Sequence, residues 1–221
     1  MKTSIRLFLV CFLALAAHEF LFAQMGAGMR PPDIPGVFKP VVGSGAAYET
    51  VTKNGTKMSL EIAIIDKESD GYWMEIAAEM PRMPGTNYVK ELLVRQGDDL
   101  VIEKMIVQMP GHPPIDLSSM PRSIQSQKSQ ADFRANAQNL GTDSITTPAG
   151  TFSCQHWRDA KSGDDYWISD KVVPWQLVKM TGADGHTITL VRVITDAKTH
   201  ITGTPVSMQE MMQQQMGKPN R

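Results

Sequence analysis

The sequence has almost no cysteine: two residues in 221, Cys11 and Cys154. A disulfide-stapled secreted scaffold is thereby excluded. Runs of like charge are absent and the formal net charge is −1, so no nucleic acid is expected as a main partner, nor an anionic membrane surface. Aromatic residues make up only 7%. The apolar run Leu7–Ala17 falls short of the roughly 20 residues that a bilayer span requires. No G-x-S-x-G, H-E-x-x-H or phosphate-cradling glycine loop occurs, which leaves an enzyme as the least supported class and gives no cofactor a binding motif.

What is present begins with an address. Lys2 and Arg6 precede the apolar stretch Leu7–Ala17, the arrangement of a secretory signal, and Ala23 before Gln24 is the expected cleavage point. Cys11 follows Val10 inside the apolar stretch, without the small residue a lipid-modified cysteine takes. Removing Lys2, Arg6 and Glu19 takes the formal charge from −1 to −2 and leaves Cys154 without a partner. The mature chain is therefore expected to be periplasmic or secreted, to lack a transmembrane segment, and to be long enough for one domain with a real core.

Residues 24–42 form a Pro-, Gly- and Met-rich leader, because Pro31, Pro32, Pro35 and Pro40 are too dense for a helix or a central strand. From 43 to 203 the chain reads as an antiparallel β domain of short strands separated by turns. Asn54-Gly55 joins Tyr48–Thr52 to Met58–Ile65 and predicts a type I′ hairpin turn. Met58, Leu60, Ile62 and Ile64 alternate with polar residues, as do Tyr72, Met74 and Ile76. In Leu100–Gln108, Ile102 and Ile106 fall on one face and Val101, Met105 and Val107 on the other, so this strand is expected to be covered on both sides. Further strands are expected at Tyr88–Arg95, Asp143–Thr147, Thr151–Arg158, Asp165–Ser169, Gln176–Thr181 and Thr187–Thr195.

Two helices are expected. Ser126–Leu140 carries a weak stripe of Ala131, Phe133, Ala135 and Ala137, with Gly141 placed to end it. In residues 204–221, Ser207-Met208-Gln209-Glu210 matches a capping box, and Met208, Met211, Met212 and Met216 give one adaptable apolar face. The expected fold class is mainly β with minor α: a curved antiparallel sheet or half-open barrel with one or two covering helices.

Three groups of residues could carry chemistry. Cys154 and His156 are two apart on a strand and share a face with Phe152, a spacing compatible with a thiolate nucleophile or two metal ligands. Neither set is complete, and packing of Cys154 in the core is the plainer reading. The methionines, including Met208, Met211 and Met212, could hold Cu(I), but filling an irregular cavity or groove explains them without a metal. Glu61, Glu75, Glu79 and Glu103 alternate with apolar residues, as charge on the wet face of a sheet does. Met74, Ile76, Ile102, Phe152 and Trp167 are the candidates to line a ligand cavity.

The stretch Gly141-Thr142, then Thr147-Pro148-Ala149-Gly150-Thr151-Phe152-Ser153-Cys154-Gln155-His156, and Trp167–Lys179 resembles exported bacterial proteins of uncharacterised families on the periplasmic lipoprotein-carrier (LolA/LolB-like) scaffold. That resemblance implies an open, strongly curved sheet whose concave apolar side binds a lipid, acyl chain or lipoprotein. It also implies a long N-terminal helix after the signal, which this chain lacks; Ser126–Leu140 and the Met-rich tail would have to take its place. The expected function is an exported soluble carrier holding a lipid, acyl chain or other apolar small molecule. A Met-rich copper-handling protein and an envelope protein–protein interaction module are the alternatives.

Overall fold

In the computed structural model the described residues are 35–79, 85–119, 129–130 and 132–216. They form thirteen strands: β1 (Ser44–Val51), β2 (Lys57–Glu68), β3 (Gly71–Glu79), β4 (Thr86–Gln96), β5 (Asp99–Gln108), β6 (Ile115–Asp116), β7 (Ser129–Gln130), β8 (Ala137–Thr147), β9 (Gly150–Asp159), β10 (Asp165–Ile168), β11 (Leu177–Thr181), β12 (Thr187–Thr195) and β13 (Val206–Ser207). A 3-10 turn spans Phe133–Asn136, and one α-helix, α1, spans Met208–Met216. The strands build a single curved sheet that does not close into a barrel. Its order is β13-β6-β5-β4-β3-β2-β1-β12-β11-β10-β9-β8, with β7 against β5.

Neighbours along this order pair antiparallel except β13 with β6. The expected fold class is the one observed.

Alternation explains the first wing. Tyr48 lies opposite Leu60, Ile62 opposite both Ala46 and Ile76, and Met74 opposite Ile64, so the apolar residues of β1, β2 and β3 stack on one side. These residues share one core with Tyr166, Val178, Met180, Ile188 and Leu190 of the second wing. Curvature thus lets the sheet bury its own inner face. Tyr48 is fully buried, and its hydroxyl donates to the Leu177 carbonyl at 3.1 Å, tying β1 to β11 past the intervening β12.

Local details depart from the sequence reading in four places. The β1–β2 hairpin forms, but Gly55 takes positive φ (+77°) and Asn54 does not, so the turn is a longer loop than type I′. In β5, Ile102 faces Leu93 and Lys104 faces Leu92, leaving Glu103 as an extra residue. This bulge interrupts the period of two, so Ile102 packs against the core on the same side as Val107 instead of sharing a face with Ile106.

The third departure is the expected helix over 126–140. Residues 126–128 and 131 lie outside the described residues; Ser129–Gln130 pairs with Asp99 and Leu100 as β7, and Ala137 opens β8. Between them Asp132 caps only the 3-10 turn, its side chain accepting from the Arg134 amide. Phe133 is drawn into the core against Tyr166, with ring centroids 4.7 Å apart. Strand pairing and one buried aromatic outweigh a helical preference as weak as that of this Gln-, Ser- and Asn-rich segment.

The fourth departure is Glu75. It is not on a wet face: its side chain is only 3% exposed.

At the C-terminal end the capping box forms. The Ser207 hydroxyl accepts from the Glu210 amide at 3.2 Å and the Glu210 carboxylate accepts from the Ser207 amide at 2.8 Å. Helix α1 then lies beside β6 and β13. Among the described residues no helix is long and apolar enough to cross a membrane.

Candidate functional site

The five cavity candidates divide into two groups. Met74, Ile76 and Phe152 are buried members of the core. Ile102 and Trp167 are partly buried against it, in the company of Val37, Tyr72 and Ala149. The apolar residues of β1 through β3 form a continuous buried layer of the same core, and the one α-helix among the described residues lies beside β6 and β13 instead.

The second constellation is polar and sits on β8, β9 and β10. His156 lies on β9 directly opposite Trp167 of β10 and Gly141 of β8. Its Nδ1 is 3.1 Å from the Asp143 carboxylate and its Nε2 is 2.9 Å from the Asp165 carboxylate. Both ring nitrogens thus face carboxylates from the neighbouring strands, which makes the imidazole a bridge between β8 and β10.

Trp167 stacks on the imidazole at a centroid distance of 4.5 Å and donates from Nε1 to Asp143 at 2.8 Å. Lys179 lies over the other part of this group, 5.3 Å from the Trp167 ring. Arg158 grips Asp165 with two bonds of 2.9 Å. The Arg158 guanidinium first, and His156 second, hold the Asp165 carboxyl below its usual range.

Cys154 is beside this group without being part of it. It is 1% exposed, its Sγ donates to the Phe152 carbonyl at 3.7 Å, and burial with Asp143 nearby pushes the thiol up to about 11. That is the wrong direction for a nucleophile, which needs a stabilised thiolate. Cys154 and His156 therefore share a strand but not a chemistry. Met208 and Met211 are partly buried on α1, and the Met212 side chain lies outside the described residues. Among the described residues no group of three His, Cys, Asp or Glu is arranged to hold a metal ion.

A further group was not legible in the sequence. The Glu75 carboxylate accepts from the His200 amide at 2.8 Å, from His200 Nδ1 at 2.9 Å and from the Thr199 hydroxyl. Tyr88 stacks on the His200 ring at 5.3 Å. The group pins the segment after β12 onto β3 and β4. Nothing local to Glu75 could announce a partner 125 residues away.

No protein-family model matches this sequence, and no curated protein does. Several solved structures match this chain over most of its length. One is a Parabacteroides distasonis protein provisionally assigned as a lipoprotein, 15% identical, with a TM-score of 0.35 over 73% of this chain and 100% of that one. Another is a Bacteroides fragilis protein with a YmcC-like fold, provisionally assigned as exported, 11% identical, with a TM-score of 0.33 over 72% and 99%. In the complex of Pseudomonas aeruginosa MucA and MucB, the matching chain is 6% identical, with a TM-score of 0.47 over 73% of this chain and 55% of that one. At such TM-scores these likenesses assign neither family, ligand nor partner to this chain.

Proposed function

We propose that this chain is an exported carrier that holds an acyl chain or similarly apolar small molecule against the inner face of its open sheet. The observation that carries the reading is the continuous apolar layer of Tyr48, Leu60, Ile62, Met74 and Ile76, borne on adjacent strands and buried against β11 and β12 with α1 placed elsewhere, so that a ligand enters by parting the two wings of the open sheet. Each methylene buried there contributes about 0.8 kcal/mol, so a long chain needs no charged anchor. Met74 and Met180 add side chains that repack readily around a ligand. The basic start Lys2 and Arg6 followed by Leu7–Ala17 supports export, and the resemblance to the lipoprotein-carrier scaffold supports the ligand class.

Fluorescent fatty-acid binding and organic extraction of the purified protein test this. Saturable binding, weakened at least tenfold by Ile76→Glu in a protein that remains folded, is the expected result. No extracted lipid together with no fluorescent binding overturns it.

A further inference from the structure

The two ends of the sheet are protected unequally. At one end β13 is two residues long and runs straight into α1. At the other, β8 is an eleven-residue strand with nearly every residue exposed, and among the described residues only β9 pairs with it. Long exposed edges are usually blunted by Lys, Pro or an inward charge. Residues 137–147 hold no Pro, Lys or Arg, and their one charge, Asp143, is already occupied by His156 and Trp167.

The free backbone groups can be located. A register shift at Leu140, with Gly141 at φ +114°, separates the early part of β8 from a regular stretch that runs to the Thr147–Gly150 turn. Within that stretch the Thr146 and Thr151 hydroxyls are 3.0 Å apart, the close approach of a non-hydrogen-bonded pair. The N–H and C=O of Thr146 therefore point away from β9, and by the strand period so do those of Ser144 and Thr142.

We propose that this edge pairs with the same edge of a second copy of the chain, antiparallel about a two-fold axis at Ser144. The outward groups are symmetric about that residue. Such pairing sets Ser144 against Ser144 and Thr142 against Thr146, and makes about six hydrogen bonds from every outward group on both copies. It also sets Asp143 against Ile145, so no like charges meet, and Thr–Thr neighbours are favourable cross-strand pairs. Centring on Asp143 would set like charges face to face and leave the outward groups of Thr146 unmatched, centring on Ile145 would leave those of Thr142 unmatched, and centring on Thr142 or Thr146 would leave still more of them unpaired. The second copy fits because the edge complements itself.

Sedimentation velocity of the full chain over a range of concentrations reads the outcome. The expected result is a monomer–dimer equilibrium that Ser144→Lys or Ser144→Glu weakens about fivefold or more, since each sets like charges face to face. Mixing the two variants restores the dimer, which a folding defect would not allow. Ser144→Cys is expected to cross-link on oxidation, because paired Cα atoms about 5.5 Å apart suit a disulfide, while Ser153→Cys on the neighbouring β9 does not. A chain that stays monomeric throughout, or a dimer indifferent to the charge at 144, overturns the proposal. So does an edge that binds only a foreign strand.

Discussion

Strands β1 to β5 and strands β8 to β10 are both antiparallel ladders, yet β3 is buried along almost its whole length while β8 stands in water. The first wing is held by stacked apolar side chains: Leu60, Ile62 and Ile64 against Ala78, Ile76 and Met74. The second is held to a much greater degree by polar bridges, with His156 tying Asp143 on β8 to Asp165 on β10 across the strand between them. One sheet can therefore combine a rigid, dry wing with a wet edge whose register depends on a few hydrogen bonds. Burial decides which kind of interaction counts in each.

The largest effect that would break this comparison comes from the core. Ile62→Ala is expected to cost about 2 to 4 kcal/mol in urea unfolding, because it leaves a cavity in a site 2% exposed. Ile145→Ala on β8, only partly buried, is expected to cost about 1 kcal/mol or less. Equal costs would erase the distinction between the wings.

Next in size is the polar bridge. A double-mutant cycle of His156→Leu with Asp143→Ala is expected to give a coupling of about 0.5 to 1 kcal/mol, reduced by the partial exposure of Asp143. A coupling near zero would mean that packing alone holds β8.

Acid sharpens the same point. Asp165 has its carboxyl held below the ordinary value, chiefly by Arg158. The stability it contributes is present above the unfolded carboxylate range and is lost as pH falls through the lowered folded value. Thermal unfolding between neutral pH and about pH 3 should therefore fall less steeply for Asp165→Asn than for the parent chain. An unchanged acid limb would remove Asp165 from the account. The smallest effect is expected at Lys57→Ala: its bridge to Glu49 at 3.2 Å is exposed on both sides, and the change in stability should stay within about 0.5 kcal/mol.

Much of the ladder was legible because its signals are local. The alternation of Leu60, Ile62 and Ile64 and the turn residues at Asn54-Gly55 act within one strand or one hairpin. The same local logic misread three places besides the type of that turn. Glu103 enters β5 as a bulge and breaks the period of two, which no pattern count anticipates. The Ser126–Leu140 segment has a helical composition, but β7 answers to β5, β8 to β9, and Phe133 to Tyr166 and Trp157.

Glu75 is the third. In the sequence it looks like any carboxylate on an outward face; in the fold it is buried beneath Thr199 and His200. The candidate site divides the same way. Cys154 and His156 were legible as a pair on one face, but Asp143, Asp165 and Trp167, which decide what His156 can do, come from two other strands.

The amino-acid sequence by itself determined the ten longer strands, most of their limits apart from the start of β8, and the capped start of α1, because alternation, turn chemistry and capping operate over a few residues. Only the tertiary structure decided which polar groups are buried, which edge is left open and what surrounds the histidine. Those outcomes depend on desolvation and on partners as far as 125 residues away, and a side chain's chemistry is set by what excludes water from it.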